Sequence, residues 1–372
     1  MHRDPPLDLA FHQGYHDNET ALKYIRDLKN DELTLKRLAV DSYERMRGFK
    51  EFSQEDMDIL KELSEVDDET LKLKIADVLT NLHEVNKSDY LEILTNVSKN
   101  LNTLLAGEIS DAIIRPKFKF TDEEYEAIKQ IAGSFLDIDD LDEQNTAFYR
   151  IERLFGLIAK YDPKWLIEFF EKRIQQYDEK KKESKSYDAV PYSLYHAFKD
   201  LKKDEKYKDI LRRVRDWTLK DGWYSIEAPK ILKNLCATEG YQNRANLNED
   251  LAEVLMEWVN SKEKEKMQNV AYILGEFRED DLYYRIVKEL IIKSDGDPEI
   301  LGDLSTAIYS SSGVKTRSHG QASPKLVQRI DFLTKLRDTT DSIKVKRFAE
   351  RQINYTKAEI DQELEWDEDM DP

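Results

Sequence analysis

Cysteine occurs once in the 372 residues, at Cys236. A single thiol excludes an internal disulfide framework and any zinc site built on paired cysteines. It lies in the apolar run Ile231-Leu232-Lys233-Asn234-Leu235-Cys236, so a small buried core residue is expected there. Glycine (12) and proline (9) are also scarce. Together they make up about 6% of the chain, roughly half the usual share. That excludes collagen-like and Gly/Ser low-complexity chains, and also a β-sandwich, which needs turn residues every strand or two. No apolar run reaches the length of a membrane span. No apolar stretch follows Met1-His2-Arg3-Asp4-Pro5-Pro6 as a secretion signal would require, so a reducing, cytoplasmic setting is the expectation.

Catalytic signatures are missing too. None of the glycines stands in a phosphate-binding Gly-x4-Gly-Lys-Ser/Thr loop, and no Gly-x-Gly-x-x-Gly, Gly-x-Ser-x-Gly or His-Glu-x-x-His occurs. His12 and His16 would share a helical face, but only Asp17 or Glu19 could add a ligand nearby. They read as exposed histidines, and His83 and His196 as partly buried ones. Acidic pairs such as Asp139-Asp140, Asp142-Glu143 and Asp280-Asp281 mostly sit where helix starts favour negative charge. No enzyme site, metal or cofactor is expected.

What the chain does have is charge, aromatics and helical periodicity. Charged residues make up 36%, the formal net charge is −18, and mean hydropathy is −0.72. Fourteen Phe, 19 Tyr and five Trp are nevertheless too many for a disordered chain. The acidic balance argues against a duplex-DNA binder, which needs a basic footprint. Part of it is a tail: after Lys357 come eight acids and no lysine or arginine.

Ser53-Gln54-Glu55-Asp56, Asp67-Asp68-Glu69 and the capping box Thr121-Asp122-Glu123-Glu124 each open an apolar stripe of helical spacing. Ile114 to Phe120, with Pro116 inside it, reads as an extended linker and a boundary. Residues 1–118 are expected to be a less regular helical region, 119–367 an array of helix pairs and 368–372 an acidic tail.

Five helix pairs recur in the second half. The anchors Ile167, Ile210, Val254, Ile286 and Ile330 of the first helices step by 43, 44, 32 and 44. Val214-Arg215-Asp216-Trp217 and Leu255-Met256-Glu257-Trp258 match each other, their tryptophans 41 apart. Pairs of this kind bury their stripes only by stacking on neighbours. The fold expected is all-α, an α-solenoid of antiparallel helix pairs.

From about Asp162 to Asp367 the chain resembles HEAT/armadillo-type solenoids. Ser310-Ser311-Ser312-Gly313, a polar loop, a helix from Pro324, then Ser342-Ile343-Lys344-Val345-Lys346-Arg347-Phe348-Ala349-Glu350 and an acidic helical end are similar to the closing repeat of HEAT-like arrays in large prokaryotic proteins. Several such proteins act in defence against phage, and the array is usually their recognition or assembly part. The resemblance thus implies a recognition scaffold, such as the sensor part of a defence system.

Two basic elements are the candidate partner-binding residues. Arg212 and Arg215 share a helical face, where they would meet an acidic partner, a phosphate or acids of a neighbouring repeat. Ser310 to Ser323 holds Lys315, Arg317 and His319 and no acid, and is either a flexible connector or a contact element. Lys180-Lys181-Lys182 with Lys185 reads as charge complementing a helix end. Another protein is the expected partner, nucleic acid the alternative, and a membrane is not expected.

Overall fold

A computed structural model describes residues 53–82, 85–138, 146–180, 205–237, 245–311 and 321–370, with isolated positions between 32 and 43 and at 197 and 201. The chain forms two compact units, Met1–Pro191 and Tyr192–Pro372. Among the described residues both are helical, and the only bridge of extended backbone joins Ala245 to Phe277.

In the first unit the helices are α1 (Gln54–Ser64), α2 (Glu69–Thr80), α3 (Lys87–Val97), α4 (Thr103–Ile114), α5 (Asp122–Gly133), α6 (Thr146–Tyr161) and α7 (Pro163–Lys180). Five of these starts have a local cause. Ser53 and Asp56 form a reciprocal capping box, as do Thr121 and Glu124, while Asp68, Asn86 and Asn102 cap α2, α3 and α4. These side chains satisfy amides that a helix's first turn leaves open. Helices pack on their sequence neighbour and on the next but one: α1 on α3, α3 on α5, α2 on α4, α4 on α6. Two layers result, each burying one stripe against the other.

The described helices before 118, α1 to α4, therefore carry the same two-layer packing as α5 and α6 after it. The segment at 115–120 is irregular, but it lies within the first unit. Its aromatics explain why. Phe118 packs edge-on against Tyr90 (5.2 Å between centroids) and Phe120 (5.9 Å). Phe120 then meets Tyr125 (5.8 Å), which stacks on Tyr161 (4.1 Å). An aromatic ladder thus ties the segment to α3, α5 and α6.

The second unit contains α8 (Glu205–Asp216), α9 (Trp223–Cys236), α10 (Glu249–Ser261), α11 (Lys264–Leu274), α12 (Asp281–Lys293), α13 (Pro298–Ser311), α14 (Pro324–Asp338) and α15 (Ile343–Met370). These eight, with α7 of the first unit, account for nine of the ten helices expected from the repeat. The expected helix over Leu194–Leu201 lies outside the described residues, save Ala197 and Leu201, which are buried. α8, α10 and α12 pack in one layer and α9, α11 and α13 in the other, while α14 and α15 close the unit as a hairpin. Gly296 (φ 86°) turns the chain just before Pro298 opens α13. Cys236 is buried. The acids through Asp369 belong to α15, so the tail expected at 368 is helical as far as Met370.

Both units are thus all-α solenoid, built of antiparallel helix pairs. No described helix is long and apolar enough to cross a membrane.

Candidate functional site

The layer of α8, α10 and α12 carries an ion-pair lattice. Arg212 meets Glu257 (3.0 Å) on α10 and Asp209 (2.9 Å) on its own helix. Lys208 meets Glu253 (2.8 Å), and Arg285 reaches back to Glu249 (3.0 Å).

Arg215 is only 7% exposed. Its guanidinium donates to the Val254 carbonyl (2.7 Å) and to Glu257 Oε2 (2.8 Å), touches Asp216 (2.8 Å), and lies over the Trp258 ring at 4.4 Å. Arg215 thus joins α8 to α10, and with Arg212 it faces the acids of a neighbouring repeat. Burial alone would push the Glu257 carboxyl up; hydrogen bonds from Arg215 and Arg212 outweigh that and hold it below its usual value. The Val-x-x-Trp/Leu-x-x-Trp match is structural: Trp217 and Trp258 are both buried.

Lys315, Arg317 and His319 lie outside the described residues. So do His12, His16, His83, His196 and the lysines at 181, 182 and 185. Among the described residues no group of three His, Cys, Asp or Glu is placed to hold a metal ion.

The layer of α9, α11 and α13 carries ion pairs as well, among them Lys233–Glu276 and Lys264–Glu299 (2.8 Å each). Each helix exposes one large apolar side chain: Ile226, Tyr272 and Tyr309. Between α11 and α13 lies a groove of about 380 Å³, lined by Gln268, Asn269, Tyr272, Asp303 and Thr306. Gln268 donates to Asp303 (2.9 Å) across it, and Asn269 donates to Glu265 O (3.0 Å). The small residues Gly275 and Ala307 keep its floor low. Tyr272 stands half exposed (50%) at its edge. Burial of its other half raises the phenol's pKa, so it is a neutral hydroxyl donor.

A second groove, of about 330 Å³, lies where the Gly296 turn meets α15. Ile291, Leu301 and Phe348 are its apolar part, and Lys344, Arg347 and Arg351 its basic part. In the first unit a groove of about 240 Å³ separates α5 from α7. There Lys129 is engaged by Glu126 (2.7 Å) and Asp162 (2.9 Å), and Trp165 stacks on Phe169 at 5.6 Å.

Repeat spacing located the helices but not these grooves. Tyr272 and Asp303 come from different pairs, and only stacking brings them together. Asn269 and Gln268 carried no motif that would have singled them out.

No family model matches the chain, and no curated protein matches it. Solved structures with some likeness include one from the study "A conserved phosphorylation switch controls the interaction between cadherin and beta-catenin in vitro and in vivo", at 10% identity and a TM-score of 0.39, covering 95% of this chain and 80% of that chain. Another is an engineered protein, at 13% identity and a TM-score of 0.30, covering 95% of this chain and 99% of that one. Both TM-scores are below 0.5, and the fold class rests on the helix packing described above.

Proposed function

We propose that this protein is a non-enzymatic recognition scaffold that binds a segment of another protein along the layer of α9, α11 and α13. The observation that carries this reading is the α11–α13 groove, where exposed amide, hydroxyl and carboxylate groups surround a half-exposed tyrosine. Side chains of this mix recognise a peptide by hydrogen bonds plus one aromatic anchor, and tyrosine is among the residues that dominate such contacts. The non-enzymatic part of the reading rests on the absence of catalytic motifs from the sequence. The finer reading, the sensor part of a prokaryotic defence system, rests on the resemblance of the closing repeat.

Nucleic acid is the weaker alternative, because Arg212 and Arg215 are engaged by Glu257, Asp209 and Asp216. The test is recovery of native complexes with mass spectrometry, comparing the intact chain with Tyr272→Ala, Asp303→Lys and a deletion of residues 312–322. Loss of a partner with the groove variants supports the reading; retention of every partner by all of them removes it. Loss with the deletion alone would assign the contact to Lys315, Arg317 and His319.

A further inference from the structure

The groove beside the Gly296 turn is basic, with three cationic side chains and one acid in its lining. Lys344, Arg347 and Arg351 follow one another at three- and four-residue steps on α15, so they line one side of the helix. Lys344 is paired with Asp295 at 2.7 Å, the one acid in the lining. Arg347 and Arg351 are exposed and make no ion pair among the described residues. Ile291 and Phe348 are buried at its base. The groove thus offers an apolar floor with two uncommitted guanidinium groups at its rim. Its size falls within the ~300–1,000 Å³ typical of ligand pockets.

The complementary group is on the same chain. Near the end of α15, Trp366 is 68% exposed and stands among Glu363, Glu365, Asp367, Glu368 and Asp369. Glu363 accepts from the Ser323 amide (3.0 Å), which marks where α14 begins alongside α15. Trp366 lies beyond that level. An indole flanked by carboxylates suits an apolar floor rimmed by arginines, because the ring adds cation–π contact to apolar burial.

The match cannot be made within one molecule. Arg347 and Trp366 are on one continuous helix, which holds them about 28 Å apart at 1.5 Å per residue. We propose that the acidic, Trp366-bearing end of α15 in one copy docks in the Arg347–Arg351 groove of a second copy. The contact is heterologous, head to tail, so each copy keeps one free groove and one free end until a ring closes or a filament grows. It also places an acidic end of a −18 chain on a basic groove, which offsets repulsion between copies. Opposite charges at an exposed rim are screened by salt, so assembly weakens as salt is raised. This inference concerns a different groove from the proposed partner site and does not depend on it.

Sedimentation of the 372-residue chain over a concentration series tests it. The wild type is expected to form larger species. Trp366→Ala and the double variant Arg347→Glu/Arg351→Glu should each need at least about tenfold more protein for the same degree of assembly. All these positions are exposed, and an unchanged melting temperature checks that each variant is folded. Mixing the two variants is the decisive arm. One retains the groove and the other the acidic end, so the mixture should form a 1:1 dimer and nothing larger. A wild type that stays monomeric overturns the proposal and leaves the groove to a different acidic partner. Assembly of Trp366→Ala at wild-type concentrations, or a mixture that fails to pair, overturns it as well.

Discussion

Gly107 on α4 lies so close to Ala147 on α6 that a Cβ at 107 would sit 2.6 Å from the Ala147 Cβ and 2.8 Å from its Cα. The two helices touch backbone to backbone at this point, which is why a glycine stands in the middle of α4. Gly107→Ala must push the helices apart or distort them, and is expected to cost about 1–3 kcal/mol. Gly302 on α13 is the control, because nothing lies within 4 Å of a Cβ added there. Gly302→Ala should stabilise the chain by up to about 1 kcal/mol through helix propensity and the unfolded state. Denaturant unfolding of both variants reads the two signs. A neutral Gly107→Ala would mean that the close approach is absent in solution.

Arg215 and Arg212 occupy one helical face but differ in how much depends on them. Arg215→Ala removes the donor to the Val254 carbonyl, the partner of Glu257 and the cover over Trp258. A loss of about 2–4 kcal/mol is expected, in the range of other buried truncations. Arg212→Ala breaks only exposed pairs and should change stability by less than about 1 kcal/mol. Thermal melts of the two variants side by side check the difference. Equal effects would contradict the packing between α8 and α10.

Acid should loosen the molecule through carboxylates held below their usual pKa. Burial raises the Asp162 carboxyl, but Lys129 and the Trp165 amide more than offset that, and the net shift is downward from 3.8. Arg37 lowers Asp68 chiefly by a hydrogen bond, and Glu257 is likewise lowered from 4.5. A depressed carboxylate contributes stability that is complete above its unfolded pKa and is lost as pH falls through its folded one. The melting temperature should therefore hold steady down to about pH 5 and fall below about pH 4. Asp162→Asn should flatten the acid limb. An unchanged limb would remove Asp162 from the account.

If the α11–α13 groove is the recognition site, Tyr272→Ala should weaken partner binding by at least about tenfold while leaving the melting temperature nearly unchanged. Tyr149→Ala, also at an exposed tyrosine but on α6 of the first unit, serves as the comparison. Titration of the recovered partner against both variants separates the groove from a general loss of surface tyrosine. Equal affinities for the two variants would move the site elsewhere.

Much of the helical order can be read from the residues alone, because caps and stripes are local. Thr121 and Glu124 announce α5, and the apolar positions of α8, α10 and α12 recur where stacking needs them. The placement of the first boundary could not be read in the same way. Pro116 and the non-helical residues around it resemble a linker until Phe118 and Phe120 are seen against Tyr90 and Tyr125. The use of charge was equally hidden. Arg212, Arg215, Arg347 and Arg351 all look alike as basic residues on helices. Which are spent on Glu257 and which are left free depends on neighbours some 40 to 50 positions away in sequence, such as Glu257 for Arg212 and Asp295 for Lys344.

The aromatic ladder from Tyr90 to Tyr161 has a mechanical consequence. A stretch without helix is usually where a chain bends and where a protease enters. Here residues 115–120 are clamped by rings on three helices, so this short non-helical run behaves as a stiff splice and passes strain between its neighbours instead of absorbing it.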